Sequence, residues 1–209
     1  MLIKGKLGFF IVLIMAFAII FAACDPDGGD EDLLPPSNYP PGEGPGYYAV
    51  GDTGPGGGII IYYEEHGFEL EGYGEVHYLE AAPEDLGRLV WFDGNWQFVP
   101  DASNLNAGIG TGRHNTILLH GLSEETEAAT ACINYRGGRF SDWFLPSKDE
   151  LNILWENRSL LNLKSFNYWS SSSDPSSDNR SPIYMRYAIN DFENHSWGQD
   201  FYAHPIRAF

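Results

Sequence analysis

The chain has 209 residues, 43% of them hydrophobic and 15% aromatic, which suits one packed domain with appendages and excludes a disordered protein. Lys and Arg number 12 against 29 Asp and Glu, and setting aside Lys4 and Lys6 of an acid-free leader leaves 10 against 29, a balance of −19. Such a surface repels nucleic acid, anionic headgroups and sulfated polysaccharide, so nucleic acid is excluded as a partner and neutral or cationic ligands are favoured.

Lys4 and Lys6 form a basic n-region, Leu7 to Phe21 run apolar, and Ala22-Ala23-Cys24 places small residues before a cysteine, so residues 1–23 read as a signal peptide. The apolar run is shorter than the ~20 residues of a spanning helix. The quartet Phe21-Ala22-Ala23-Cys24 resembles the lipobox of bacterial lipoproteins, with Phe21 where Leu is usual; the alternative is a plain secretory signal. In a lipoprotein Cys24 is acylated, as with palmitate, and the buried methylenes hold the chain at a membrane at ~0.8 kcal/mol each. The expected place is the cell envelope, lipid-anchored and extracytoplasmic, at the outer membrane or cell surface ahead of the inner membrane. Asp25 nevertheless resembles the inner-membrane retention signal of enteric bacteria, a sorting rule that does not hold in every phylum.

Residues 24–46 form an acidic, Pro- and Gly-rich tether with too little apolar surface to offset ordering entropy. Residues 47–209 are globular in composition and form the expected domain. Once Cys24 is acylated only Cys132 remains, so the mature chain has no internal disulfide and the thiol is expected to be buried.

Within the domain, Gly58 to Tyr63 predicts a strand entered through the glycine-rich turn from Gly51 to Gly57. Val76 to Ala81 and Leu89 to Phe92 follow, the latter closed by an Asp93-Gly94 turn with Trp96 to Val99 as the return. In the middle, Ser123 is the expected cap of a helix whose first turn carries Glu124, Glu125 and Glu127, with Ala128, Ala131, Cys132 and Tyr135 on one stripe and Gly137-Gly138 as the stop. Ser147-Lys148-Asp149-Glu150 has the form of a capping box, Pro146 and Leu151 that of a hydrophobic staple, and Leu151, Leu154 and Trp155 continue the apolar face. Trp143 to Leu145 read as a buried lead-in. Tyr168 to Ser171, Ile183 to Ile189 and Ile206 to Phe209 are the late strands.

Six stretches in chain order carry a family resemblance: Val50 to Ile60, Leu79 to Pro83, Gly108 to Thr116, Asp142 to Leu151, Tyr168 to Ser172 and Ile206 to Phe209. Together they resemble the bacterial domain family named for the C-terminal domain of the Legionella collagen-like adhesin, over about residues 47–209. The resemblance implies an α+β fold of the C-type-lectin-like superfamily, two helices packed on small antiparallel sheets with long loops. It also implies an extracytoplasmic domain, often on lipoproteins, that binds glycans or other surface ligands. No collagen-like repeat is present, so trimerisation through such a stalk is not expected.

Calcium-dependent lectins hold their metal with carboxylate and amide oxygens on a Glu-Pro-Asn or Gln-Pro-Asp loop, and neither loop occurs here. The nearest remnant is Asn190, Asp191, Glu193 and Asn194, an oxygen-rich stretch that reads either as a solvated polar loop or as a site for calcium or a sugar, with Trp197 nearby as core or edge packing or as a ring to stack on a sugar face. The family adhesin's sulfated ligands conflict with the net charge, leaving Arg136, Arg139 and Lys148 as the one local basic patch. Formylglycine-generating enzymes share the superfamily but need reactive cysteines or copper ligands that a single buried Cys132 does not supply. Gly108 to Arg113 lacks the Lys-Ser/Thr ending of a phosphate loop. No G-x-S-x-G elbow occurs, and the six histidines show no paired spacing for zinc. A binding module rather than an enzyme is therefore expected, its partners a membrane through the N-terminal lipid and a glycan or surface protein. The alternative is a structural or protein-interaction domain without a small ligand.

Overall fold

The computed structural model describes residues 48–92, 105–122, 126–176, 181–186, 191–194 and 198–209. The leader, Cys24, the tether, the Asp93-Gly94 turn with its return, and Ser123 lie outside these residues. No helix among the described residues is long and apolar enough to cross a membrane.

The fold is α+β, with two sheets. β1 (Ile59–Leu70) and β2 (Gly74–Ala81) form a hairpin, and β8 (Ile206–Ala208) adds to β2 to give the order β1-β2-β8, antiparallel throughout. The second sheet runs β3-β7-β4-β5-β6, built from β3 (Arg88–Val90), β4 (Tyr168–Ser173), β5 (Pro182–Arg186), β6 (Asp191–Asn194) and β7 (Asp200–Tyr202). Its β4–β7 contact is parallel, which corrects the expectation of purely antiparallel sheets. β6 is an edge strand where a polar loop was expected.

Four α-helices occur among the described residues, not the expected two. α1 (Gly112–Leu122) was not foreseen, α2 spans Glu127–Asn134, α3 spans Lys148–Glu156, and α4 is the single turn Arg158–Leu161. The α2 stripe is Ala128, Ala129 and Cys132, with Ala131 and Tyr135 only partly buried. Thr126 stands at the N-cap position of α2, but its hydroxyl donates to the Leu119 carbonyl at 3.0 Å instead of capping the helix. α2 stops at an extended Tyr135, and Gly137 to Arg139 form a separate 3-10 turn.

The central strands β4 and β5 of the five-stranded sheet are buried on both faces, and strand alternation sorts their side chains between two cores. Tyr168 and Met185 join Ile61, Leu79, Phe144, Leu151, Leu154 and Trp155 between the sheets and α3. Their strand neighbours Trp169 and Tyr184 point the other way, onto Leu119, Ala128, Cys132 and Leu145 beside α1 and α2. Cys132 is wholly buried, as expected, and burial pushes its thiol pKa up. Phe144 and Leu145 alternate between the same two cores, with Phe144 bridged to Ile206, so the lead-in to α3 is itself extended chain.

A buried ion network joins the glycine-rich turn to the sheet. Glu80 on β2 lies directly opposite Arg207 on β8, and Arg207 Nη1 donates to Glu80 Oε2 at 3.1 Å. The Glu80 carboxylate also accepts from Gly56 N at 3.0 Å and Gly58 N at 2.8 Å. Arg207 completes its fork on Asp142, Nε to Oδ1 at 3.0 Å and Nη2 to Oδ2 at 2.9 Å, with the Phe140 ring 3.8 Å from its guanidinium carbon. A Cβ on Gly58 would stand 1.9 Å from the Ala81 carbonyl oxygen, so only glycine lets the turn lie this close.

A second buried carboxylate organises the helices. The capping box at Ser147 is formed, with Glu150 N donating to Ser147 Oγ at 3.3 Å and Ser147 N to Glu150 Oε2 at 2.7 Å. Glu150 further accepts from Gly110 N at 2.9 Å and from the Gly112 amide, so one carboxylate caps α3 and also holds the start of α1. Burial outweighs the hydrogen bonds to the carboxylate from Ser147, Gly110 and Gly112 and raises the Glu150 pKa from its ordinary 4.5 to about 7.

Removing the cation leaves Glu80 fully buried and Asp142 half-buried without their partner, so Arg207→Met should cost about 3–5 kcal/mol, read as a lower urea midpoint. An unchanged midpoint would show that the network contributes nothing to stability. Because the folded pKa of Glu150 is raised, the folded state holds a proton that the unfolded chain releases between pH 4.5 and about 7. The Glu150 contribution to stability therefore grows as pH falls through that window and is lost as pH rises. The urea midpoint of the native chain should gain more than that of Glu150→Gln on acidification across the window; equal gains in the two proteins would contradict the raised pKa.

Candidate functional site

A cleft of about 710 Å³ opens where the start of α3 meets the end of β4, the strand β5 and the edge strand β6. Leu105, Ile183, Pro175 and Phe192 give it an apolar lining, and Asn106, Lys148, Asp174 and Glu193 bring polar groups to it.

Its wall is held by a polar lattice behind it. Asn115 on α1 is wholly buried, and its amide grips the backbone of Asn106 at both ends, accepting from Asn106 N at 3.0 Å and donating to Asn106 O at 2.7 Å. The same carbonyl accepts from Ser172 Oγ at 2.7 Å and Thr111 Oγ1 at 3.1 Å. Asp149 N donates to Ala107 O at 2.9 Å, and Ser147 Oγ to Gly108 O at 2.8 Å. The serine run thus works as strand and scaffold: Ser170 Oγ holds the Ile183 carbonyl at 2.7 Å and Ser171 N the Pro146 carbonyl at 2.7 Å.

Lys148 is the first residue of α3. Its amide donates to Ser172 Oγ at 2.9 Å, while its ammonium sits 5.3 Å from the centre of the Phe192 ring. A cation in the first helical turn opposes the helix dipole, an unfavourable place that costs on the order of 0.5 kcal/mol. No carboxylate lies within ion-pair distance of it among the described residues, although two line the same cleft. Glu193 is fixed from the opposite strand, where the Tyr184 hydroxyl donates to Glu193 Oε2 at 2.7 Å.

Of the residues that the sequence singled out, Asp191, Glu193 and Asn194 fall on β6, and Glu193 lines the cleft. Asp191 is exposed, its Oδ1 accepting from Phe192 N at 2.7 Å. Asn190 and Trp197 lie outside the described residues. The proposed basic patch is not assembled by contacts: Arg136 turns back onto the carbonyls of Ile133 and Tyr135 at 2.6 and 2.8 Å, whereas Lys148 faces the cleft. Asn106, Asp174, Ile183 and Phe192 were missed, and no local pattern marks them. Among the described residues no group of three or more His, Cys, Asp or Glu side chains is placed to hold a metal ion.

One other cluster has the outline of catalytic machinery. His204 Nδ1 is 2.8 Å from Asp85 Oδ1, and the Tyr168 hydroxyl donates to Asp85 Oδ2 at 3.1 Å. The far nitrogen, Nε2, faces the Ala82 carbonyl at 2.9 Å and so acts as a donor, with no lone pair left to take a proton from a nucleophile. Burial and the neighbouring Asp85 push the Tyr168 pKa up. The cluster ties the β2–β3 connection to the β7–β8 connection.

No protein-family model matches the chain, and no curated protein matches it significantly.

Proposed function

We propose that this chain is an extracytoplasmic, lipid-anchored binding module that takes a carbohydrate in the cleft between Lys148 and β6. The observation that carries the reading is Lys148 held over Phe192 in a cleft that combines an apolar floor with amide, ammonium and carboxylate groups. A sugar presents both chemistries at once, C–H faces that pack on Phe192 and Ile183 and hydroxyls that exchange hydrogen bonds with Asn106, Lys148 and Glu193. The order of the six sequence stretches and the α+β architecture support extending the resemblance to the collagen-like adhesin domain and its C-type-lectin-like fold into this proposal. The lipobox-like Phe21 to Cys24 supports the anchor.

The runner-up, a protein-interaction domain, draws on a different surface. Arg113 on α1 lies 4.8 Å over the exposed ring of Tyr73, and Ile117, one turn further along α1, is exposed as well. Tyr, Arg and exposed aliphatic residues are types that anchor protein interfaces.

Glycan-array binding, run with calcium and with a chelator, should give carbohydrate hits that Phe192→Ala and Lys148→Ala each weaken about tenfold or more, while Tyr73→Ala leaves them intact. Array silence under both conditions would sink the carbohydrate reading; loss of a protein partner in Tyr73→Ala alone would favour the runner-up. For the anchor, metabolic labelling with palmitate should disappear in Cys24→Ala, and label that persists in that variant would refute acylation at Cys24.

A further inference from the structure

The five-stranded sheet has a second concavity, at its other edge. There β3 and β7 meet the segment leading into β4, and a groove of about 340 Å³ is lined by Arg88, Ser165, Phe166, Asn167, Asp200, Phe201 and Tyr202. Since the strand order is β3-β7-β4-β5-β6, this groove and the Lys148 cleft lie toward opposite edges of the sheet.

Phe166 is 51% exposed although it is a large apolar ring, and its orientation is fixed. It stacks on Tyr202 at 5.2 Å between ring centres, within 13° of parallel, and Tyr202 leans in turn on the buried Tyr168 at 5.6 Å. One ring face is thus taken and the other is presented flat, on a base that reaches the core. Phe201, which lines the same groove, is locked against Trp169 at 4.4 Å.

A polar pair shares the groove with the ring. Arg88 donates through Nη2 to Asp200 Oδ1 at 2.8 Å and through Nε and Nη2 to the Asp200 carbonyl at 3.3 and 3.1 Å. Both side chains are more than half exposed, so the ion pair contributes at most about 1 kcal/mol to stability. Arg88 Nη1 and Asp200 Oδ2 make no further hydrogen bond among the described residues. A fixed donor and a fixed acceptor therefore stand side by side near an exposed aromatic face.

We propose that this groove is a second carbohydrate subsite, one that takes a single neutral pyranose ring. The apolar C–H face of the sugar packs on Phe166, one hydroxyl accepts from Arg88 Nη1, and its neighbour donates to Asp200 Oδ2. Adjacent hydroxyls on a pyranose are both donor and acceptor, so such a ligand uses both members of the pair without breaking it. The two charges cancel locally, which suits an uncharged sugar better than an acidic one. The subsite stands independently of the Lys148 cleft.

The test uses the whole purified protein titrated with methyl β-glucoside, methyl β-galactoside and methyl N-acetyl-β-glucosaminide, read by saturation-transfer NMR and by shifts of the Phe166 and Tyr202 ring signals. At least one glycoside should receive saturation and move those signals, and Phe166→Ala and Arg88→Ala should each weaken that binding about tenfold. Phe192→Ala should leave the ring shifts unchanged, which separates the subsite from the cleft. The proposal is overturned if none of the three glycosides moves the ring signals, if Phe166→Ala binds as the native chain does, or if a proline-rich peptide moves those signals and the sugars do not.

Discussion

The pairing of Glu80 with Arg207 is the constraint on which the rest of the domain depends. It sits at a cross-strand position of β2 and β8, so only one register of those strands brings carboxylate and guanidinium together. A slip by one residue would turn Arg207 to the other face and strand Glu80 with two backbone amides and no cation. Well-packed hydrophobic residues can match or exceed the stability of such a network, but they do not discriminate between registers in this way. From this one pair follow the path of the glycine-rich turn, which lies on Glu80, and the placing of the Asp142 segment, which lies on Arg207. That segment then delivers Phe144 and Leu145 to separate cores and starts α3.

The residues behind the family resemblance are occupied in this framework. Gly56 and Gly58, Glu80, Asp142 and Arg207 make the ion network; Gly110, Gly112, Ser147 and Glu150 make the shared cap; Ser170 to Ser172 tie β4 to its neighbours. Motifs used up in this way specify a frame and leave the ligand open. The two concave surfaces are lined instead by side chains outside the strongest motifs, Phe192, Glu193, Phe166 and Arg88 among them, with Lys148 belonging to both sets.

What could be read from the sequence was what local rules govern. The capping box is complete within four residues, and the β-branched and aromatic run after Gly58 marks a strand by its own composition, so both were legible. α1 was not, for a specific reason: its buried positions Gly112, Asn115, Thr116 and Leu119 keep the helical spacing, but only Leu119 is apolar. The other three are buried because they make hydrogen bonds or leave room for Glu150, a role that hydrophobic periodicity does not detect. β6 is four residues of mostly polar type, and its pairing with β5 defines it, not its own pattern. Of the cleft, only Glu193 and Lys148 had been picked out in sequence, because its lining comes from five separate stretches of chain.

The clamp also bears on how the domain comes to be folded. Glu80 and Arg207 are 127 residues apart, the Tyr78–Phe209 hydrogen bonds close a loop of similar reach, and the Phe144–Ile206 bridge closes one about half as long. Loop-closure entropy must be met before any of these contacts returns energy, which slows completion of this sheet. A chain emerging amino-terminus first has no finished β1-β2-β8 sheet until residues 206–209 arrive, and until then the glycine-rich turn has only half of its anchor.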